Sequence, residues 1–166
     1  MLEIRPFSES DWNAVWPLLR ETFAAGETYS FAPDISESDA RRLWIEMPAA
    51  TFVAVDAGAI VGTYFIKPNQ PGLGSHVSNC GYVVDSRAQG QGIAARMCEH
   101  SQAWALDHGF RAMQFNFVVA SNERAVRLWQ RLGFEIVGRL PGAFNHRRLG
   151  FVDALVMFKT LYHPPP

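Results

Sequence analysis

The sequence has few of the features that mark secreted, membrane or nucleic-acid-binding proteins. Only two of its 166 residues are cysteines, Cys80 and Cys98, which is too few for a disulfide framework. No apolar run approaches the roughly 20 residues that a helix needs to cross a bilayer, and residues 1–5 lack the apolar stretch of a signal peptide. The formal net charge is -1, so no broad basic surface is available for nucleic acid. These absences predict a cytoplasmic protein with neither nucleic-acid nor membrane partners.

The composition is that of one folded domain with a sizeable core. Hydrophobic residues make up 48% of the chain and aromatic residues 13%, and the length is typical of a single domain. We place this domain at residues 1–162 and treat residues 163–166, which end in three prolines, as a C-terminal tail. Both cysteines lie in apolar surroundings and are predicted to be core thiols, and no metal ion is expected.

Hydrophobic periodicity and turn residues predict elements in the order β-α-α-β-β-β-α-β-α-β-β. A long amphipathic pattern at residues 95–106 lies between two β-rich runs, at 75–84 and 112–118. A strand, a helix and a further strand form a crossover, so these two strands should be parallel neighbours. The other strands are expected to be antiparallel, which gives a mixed α/β sheet. Two further expectations are that Pro17 bends or breaks the first helix and that residues 141–150 form a loop.

A glycine-bearing turn joins the strand at 75–84 to the long helix. Its residues are Gln89, Gly90, Gln91, Gly92, Ile93 and Ala94. The first N–H groups of a helix have no intrahelical partner and carry the positive end of the helix dipole. Glycines let a phosphate approach that backbone, so the turn suits a pyrophosphate. On its own the pattern equally fits a plain strand-to-helix turn.

Two segments together resemble the GNAT N-acetyltransferase family. The segment from Val83 to Ala94 is similar to the family's pyrophosphate motif, Q/R-x-x-G-x-G/A. The segment from Asn122 to Phe134 is similar to its N-x-x-A-x-x-L-Y-x-x-x-G-F motif. The two follow one another in the family's order, and the predicted elements also fit, so the resemblance covers nearly the whole chain. It implies a single-domain GNAT fold.

The resemblance implies acetyl-coenzyme A as the acetyl donor. The backbone amides from Gly90 to Ala95 would cradle the pyrophosphate, and Asn122 would bond the pantetheine arm; its alternative role is a plain N-cap. In the family, the strand before the loop splays from its parallel neighbour, and pantetheine pairs with the strand backbone. The resemblance therefore implies cofactor contacts at Tyr82, Val83 and Val84, where an N–H can polarise the thioester carbonyl.

The sequence departs from the family at two positions. Trp129 stands where a tyrosine often protonates the departing thiolate, and indole is not usefully acidic. Trp129 is therefore interpreted as a packing residue or a wall of the cofactor site, and water or Tyr82 as the proton source. Phe117 stands where members that acetylate protein N-termini often carry a glutamate base, which disfavours that activity.

A narrower resemblance concerns the acceptor. Segments at 26–29, 67–69, 75–79, 115–116, 138–145 and 152–154 are similar to a GNAT branch that includes fungal acetyltransferases acting on proline analogues such as azetidine-2-carboxylate. This implies a small amino-acid-like acceptor, contacted by Asn116 and assisted by Asn145. Asn116 would be a buried polar residue between two phenylalanines and would need a partner; a structural role is the alternative.

Other residues could also serve the acceptor. Glu27 and Tyr29 lie in the loop after the first helix, at the expected acceptor entrance, although Glu27 also fits a solvated charge. His76 and His146 are candidate bases, but His76 is interpreted as structural and His146 as an exposed loop residue.

The predicted activity is acetyl transfer to the amine of a small acceptor by direct attack in a ternary complex. Two alternatives stay open. One is a peptide or protein N-acetyltransferase with an open acidic groove, and the other is a non-catalytic acyl-coenzyme A sensor. A homodimer is common among relatives and is compatible with the sequence.

Overall fold

The computed structural model describes residues 1–163, so all of the predicted tail at 163–166 except His163 lies outside the described residues. The strands are β1 (Glu3–Pro6), β2 (Ala50–Asp56), β3 (Ala59–Pro68), β4 (Val77–Val84), β5 (Ala112–Val119), β6 (Glu135–His146) and β7 (Gly150–Thr160). The α-helices are α1 (Trp12–Ala25), α2 (Glu37–Arg41), α3 (Ile93–Asp107) and α4 (Glu123–Arg131). This order agrees with the prediction. Within residues 1–163, no helix is both long and apolar enough to span a bilayer.

All seven strands form one sheet in the order β1-β2-β3-β4-β5-β7-β6. The β4–β5 pair is parallel, as the crossover through α3 predicts, and the other pairs are antiparallel. Pairing between β4 and β5 is short: Val77 pairs with Ala112 and Ser78 with Met113, and the register then ends. The mixed α/β sheet of the prediction is confirmed, and its centre contains a point where two parallel strands separate.

The helices cover both faces of the sheet. Helices α3 and α4 pack on one face, in a core that includes Tyr64, Cys80 and Cys98. Helix α1 and the segment around α2 pack on the other face, against strand residues that include Phe65 and Val83. Both cysteines are buried free thiols, which confirms that they are core residues.

Serine and aspartate residues cap the chain at the starts of the helical segments that lead into α1 and α2. The Ser8 N–H donates to Asp11 Oδ2 at 2.8 Å, and Ser36 Oγ accepts from the Asp39 N–H at 3.1 Å. Asp11 also receives two hydrogen bonds from the Arg5 guanidinium, at 2.7 and 2.9 Å. The Arg5 hydrogen bonds lower the pKa of Asp11 to about 2, so this buried carboxylate ties β1 to the start of α1.

Pro17 was expected to bend or break the first helix, and the expectation of a break was wrong. Helix α1 runs without interruption from Trp12 to Ala25. Proline removes the N–H that would bond the carbonyl of Asn13, but Asn13 and Pro17 are both exposed, so water can satisfy that carbonyl. Burial of the opposite face holds the helix together; its buried residues are Trp12, Val15, Leu18, Leu19 and Phe23.

Most of the predicted loop at residues 141–150 is strand. Strand β6 continues to His146, and its register with β7 extends to His146 opposite Gly150. The register shifts between Leu140 and Phe144, which marks a bulge around Pro141. Proline is tolerated in edge strands and bulges, and β6 is one of the two edge strands of the sheet. Proline and glycine here mark an irregular strand and not its end.

Candidate active site

A gap opens where β4 and β5 separate. Their register ends at Ser78 opposite Met113, and Asn79 Nδ2 donates to the carbonyl of Gln114 at 3.0 Å just beyond that point. Strand β5 is then irregular, since its register with β7 shifts between Phe115 and Val118. The gap therefore lies between the carboxyl-terminal halves of two parallel strands, at the end of β4 that leads into α3.

Alternate peptide groups of β4 face this gap. The Asn69 N–H donates to Val77 O, and the Asp85 N–H donates to Val61 O, so the odd-numbered residues of β4 bond to β3 over an unbroken register. Because hydrogen bonding alternates along an antiparallel pair, the even-numbered residues of β4 turn their peptide groups away from β3. The peptide groups of Tyr82 and Val84 therefore point into the gap. The peptide group of Val83 points to β3, which corrects its assignment as a cofactor-pairing residue.

The turn after β4 has the features of an anion cradle. Gly90 has a φ of 83° and Gly92 a φ of 76°, conformations that glycine adopts without strain. The first intrahelical bond of α3 runs from the Arg96 N–H to Gly92 O at 3.1 Å, so the amides of residues 93–95 have no intrahelical acceptor. A Cβ at Gly92 would meet no atom within 4 Å, so space is open there. These donors and this space fit the pyrophosphate of acetyl-coenzyme A.

The polar residues in the cradle and just before it differ in their surroundings. Gln89 and Gln91 are exposed. Asp85 is buried and accepts from Arg87 through its backbone N–H at 2.9 Å and its guanidinium at 2.6 Å, which holds the pKa of that carboxyl below its usual value. The carboxylate is thus engaged by Arg87 and anchors the turn that precedes the cradle.

Asn122 lies at the start of α4, after β5. Its Oδ1 accepts from the Ala125 N–H at 3.3 Å, so Asn122 is the N-cap of α4. Among residues 1–163 its side-chain amide nitrogen donates no hydrogen bond, so it can still bond a ligand in the gap. The two roles weighed for Asn122 are therefore compatible.

Trp129 is a buried packing residue, 8% exposed. Its ring centroid lies 5.2 Å from that of Tyr82 on β4 and 5.1 Å from that of Phe115 on β5. It thus supports both strands that border the gap, in agreement with the interpretation of this residue as packing or wall.

The hydroxyl of Tyr82 does not fit the role of proton source. It shares a hydrogen bond with Ser101 Oγ at 2.7 Å and lies 3.7 Å from Met113 Sδ, within the core beneath α3. Burial raises the pKa of Tyr82 well above its usual value. Only the backbone of Tyr82, and not its hydroxyl, is therefore available to contact the donor.

Tyr29 reaches the gap from the loop after α1. Its hydroxyl donates to Tyr82 O at 2.9 Å, and its ring stacks on Phe31. Gly81 makes this approach possible, since a Cβ there would lie 3.1 Å from the Tyr29 hydroxyl and 2.6 Å from Cε1 of Phe65. Burial raises the pKa of Tyr29, so its phenol is a neutral donor. The structure thus brings Tyr29 to the strand where the acetyl carbonyl is expected.

Asn116 belongs to a chain of neutral amides at the gap. Its Nδ2 donates to Asn69 Oδ1 at 2.6 Å, and its Oδ1 accepts from Gln114 Nε2 at 2.9 Å. The side chain is exposed, so the expectation of a buried asparagine was wrong; Asn116 alternates with the buried Phe115 and lies on the same side of β5 as Gln114. Sequence reasoning assigned no role to Asn69, Asn79 or Gln114, although Asn69 and Asn79 lie in segments that carry the narrower resemblance.

The β6–β7 turn contacts the end of α1. Arg148 Nε lies 2.7 Å from Glu27 Oε1, and Arg147 donates to Ala24 O at 2.9 Å and to Gly26 O at 3.0 Å. Glu27 is therefore ion-paired, unlike the free carboxylate expected at the acceptor entrance.

Asn145 and His146 end β6. His146 is buried and its Nδ1 accepts from the backbone N–H groups of Arg148 and Leu149, which corrects its interpretation as an exposed residue. Asn145 is exposed and opposes Phe151 in the sheet. His76 is exposed, and its carbonyl accepts from the Arg111 N–H at 2.8 Å. Among the described residues, no group of three or more His, Cys, Asp or Glu side chains could hold a metal ion.

Comparison with protein families matches most of the chain, including the β4–α3 turn, to one family. The sequence profile of the Acetyltransferase (GNAT) family matches residues 12–134. The chain is 34% identical over 108 residues to N-acetyltransferase aca1 of Schizosaccharomyces pombe, covering 64% of this chain and 50% of that protein. The chain thus spans about half the length of that relative, whose fungal origin agrees with the narrower resemblance.

The chain also resembles solved acetyltransferase structures over almost its entire length. A GCN5-related N-acetyltransferase from Kribbella flavida has a TM-score of 0.91 and 41% identity, covering 96% of this chain and 97% of that one. A phosphinothricin acetyltransferase from Sinorhizobium meliloti, determined in complex with acetyl-coenzyme A, has a TM-score of 0.86 at 18% identity, covering 99% and 93%. The second likeness concerns the fold alone.

Proposed function

Because the chain belongs to the Acetyltransferase (GNAT) family, we propose that it transfers acetyl from acetyl-coenzyme A to the amine of a small, amino-acid-like acceptor. The observation that carries this proposal is the gap between β4 and β5, with free helix amides at one end and a chain of neutral amides beside it. The donor is that of the family. The acceptor class rests on the residues around Asn116.

When bound, acetyl-coenzyme A supplies the acetyl group as an activated thioester. The free amides of residues 93–95 would hold the anionic end of the donor, and the Nδ2 of Asn122 would bond its pantetheine arm. The Tyr82 N–H faces the gap and stabilises negative charge that develops on the acetyl oxygen. Tyr29 holds this stretch of β4 through the Tyr82 carbonyl, so the donor is fixed before the reaction.

Direct attack by the acceptor is favoured over an acyl-enzyme. Cys80 and Cys98 are buried, and burial raises the pKa of both thiols, whereas a nucleophilic cysteine needs thiolate character. Transfer therefore joins the acceptor nitrogen to the acetyl carbon and breaks the C–S bond. The nitrogen loses one proton to solvent, and the sulfur leaves with one from solvent.

The charges around the acceptor side favour a small substrate over a basic peptide. Glu27 is paired with Arg148 at 2.7 Å and Asp153 with Arg139 at 2.7 Å, so these carboxylates do not provide the acidic groove that a peptide acetyltransferase would need. Asn116 instead offers neutral donors and acceptors, which match the carboxylate and amine of an amino acid. Asn145 is proposed to assist from β6.

We also propose a homodimer that uses the β6 edge of the sheet. Strand β6 has no further strand beside it among the described residues, and Val137 and Phe151 are 59% and 78% exposed on this hairpin. An exposed apolar edge strand favours pairing with another chain. Light scattering should give a dimer mass for the wild type and a monomer mass for Val137→Lys; a wild-type monomer refutes the proposal.

The decisive experiment is an acceptor screen that detects released coenzyme A as free thiol. Amino acids, proline analogues, polyamines and peptides are tested, with Gly92→Glu as the control in which an anion at the cradle abolishes donor binding. Steady release with small amino acids supports the proposal, and preference for peptides supports the peptide acetyltransferase. If acetyl-coenzyme A binds but no amine causes release of coenzyme A, the protein is the acyl-coenzyme A sensor that Trp129 at the tyrosine position leaves open.

Asn116→Ala then tests the acceptor assignment. Loss of one charge-assisted hydrogen bond should raise the acceptor KM about tenfold and leave the Kd of acetyl-coenzyme A near wild type. Asn145→Ala is the matched comparison on β6. A loss of cofactor affinity in Asn116→Ala would mean that Asn116 supports the fold and not the acceptor.

A further inference from the structure

The side chain of Arg124 lies against the phosphate cradle. Arg124 is in the first turn of α4, two residues after the N-cap Asn122. A Cβ built at Gly90 would lie 3.3 Å from its Nη2, so the guanidinium sits over the backbone of Gly90. This contact joins α4 to the turn that precedes α3, two segments on opposite sides of the gap.

The charge of Arg124 is not neutralised by a carboxylate in the part of the chain described. Two nearby arginines differ in this respect. Arg127, one turn further along α4, lies 3.1 Å from Glu123 Oε2, and Arg87, just before the cradle, lies 2.6 Å from Asp85 Oδ2. Within residues 1–163, Arg124 makes neither a salt bridge nor a side-chain hydrogen bond. Its positive charge therefore adds to that of the free amides at the start of α3.

We infer that Arg124 is a cofactor-binding residue that contacts the pyrophosphate of acetyl-coenzyme A from the α4 side of the cradle. This inference rests on the donor assigned above. The amides of residues 93–95 approach the phosphates from one side only, and a guanidinium supplies planar paired donors suited to phosphate oxygens. Through Asn122 and Arg124, the first turn of α4 then contacts both the arm and the phosphates of the same ligand.

Gly90 is required for this arrangement in two ways. Its φ of 83° is unfavourable for other residues, and its missing Cβ leaves the space that Nη2 of Arg124 approaches. Gln91 next to it has no such constraint, being exposed with its side chain directed away from the core. The identity of residue 90 thus sets how near the guanidinium comes to the cradle.

The inference is tested by calorimetric titration of three ligands into wild type, Arg124→Ala and Arg124→Lys. The ligands are acetyl-coenzyme A, its 3′-dephospho form, and S-acetylpantetheine, which has neither the pyrophosphate nor the 3′-phosphate. Loss of a charge-assisted contact should weaken binding of the first two equally, by about tenfold to a hundredfold. Binding of S-acetylpantetheine should not change, and lysine should restore part of the affinity.

Arg127→Ala is the matched control, since it removes an equally exposed arginine from the same helix but one paired with Glu123. It should bind all three ligands as wild type does. A penalty in Arg124→Ala that disappears with the dephospho ligand would move the contact to the 3′-phosphate and overturn the assignment. Equal affinity of Arg124→Ala and wild type would overturn it outright. If wild type binds no acetyl-coenzyme A, the donor assignment itself fails, which is a different result.

Discussion

Replacing Gly81 with alanine tests how closely Tyr29 must pack on β4. The new Cβ would lie 2.6 Å from Cε1 and 3.0 Å from Cζ of Phe65, and 3.1 Å from the Tyr29 hydroxyl. Gly81 and Phe65 are both buried and face each other in the β3–β4 register. The rings of Phe65 and Tyr29 therefore cannot move without disturbing the core around Trp44, whose ring centroid is 4.8 Å from that of Phe65 and 5.9 Å from that of Tyr29.

The expected cost follows from three terms. Overpacking of a dense core costs about 1–3 kcal/mol, and the lost hydrogen bond from Tyr29 to Tyr82 O adds about 1 kcal/mol. The lower entropy of alanine in the unfolded chain offsets about 0.4–1 kcal/mol. The free energy of unfolding should thus fall by about 1–3.6 kcal/mol, and Tm by about 2–14 °C for a domain of this size.

Urea unfolding followed by tryptophan fluorescence measures the effect. Gly138→Ala is the matched control, because a Cβ there would meet only Val156, at 3.7 Å, and should leave stability equal or slightly higher. Tyr29→Phe removes the hydrogen bond without the clash and should account for about 1 kcal/mol of the loss. If Gly81→Ala has the same urea midpoint as Gly138→Ala, then Phe65 and Tyr29 do not pack on β4 as described. Because Tyr29 holds the stretch of β4 that faces the donor, the Kd of acetyl-coenzyme A should rise in both Gly81→Ala and Tyr29→Phe.

Two further predictions concern titrating groups. The folded-state pKa of Asp11 is about 2, below its ordinary value, so its pairing with Arg5 stabilises the fold above about pH 4 and is lost as the pH falls towards 2. Asp11→Asn should remove about 2 kcal/mol of this pH dependence in urea unfolding between those values; an unchanged profile would show that the pair does not matter. Burial raises the pKa of Cys80 and Cys98, so a thiol reagent at pH 8 should label neither in the native protein and both in urea. Rapid labelling of the native protein would contradict their burial.

The parts of the fold that depend on local patterning were predictable from sequence. The crossover from β4 through α3 to β5 follows from one amphipathic run between two β-rich runs, and the positive φ angles at Gly90 and Gly92 are what a glycine turn before a helix predicts. The errors came from local signals that tertiary contacts override. Pro17 is tolerated because the exposed face of α1 leaves its unpaired carbonyl to water. Pro141 is tolerated because β6 is an edge strand with a bulge.

The directions of peptide groups and side chains at the site were harder to predict from the sequence. Val83 was assigned to the gap with its neighbours, but whether odd or even residues of β4 face β3 depends on the register with β3, which the sequence of β4 does not contain. Asn116 was expected to be buried because phenylalanines flank it, but alternation along β5 places its side chain opposite to that of the buried Phe115, on the same side as Gln114. The first case depends on strand pairing, and the second on which face of β5 is covered.

The donor and acceptor halves of the site differ in how the chain builds them. The donor cradle uses backbone amides of one short segment, so its chemistry depends on chain conformation and can be recognised from a local motif. The acceptor side joins residues far apart in sequence: Tyr29 meets Tyr82 across 53 positions, and Asn69 meets Asn116 across 47. The proposed recognition of the acceptor uses neutral amides, since Glu27 is paired with Arg148. A site of this kind discriminates by hydrogen-bond geometry and rejects analogues that leave a partner unmatched. If the proposed acceptor site is correct, the choice of acceptor depends on the spacing between loops and strands more than on the net charge of the entrance.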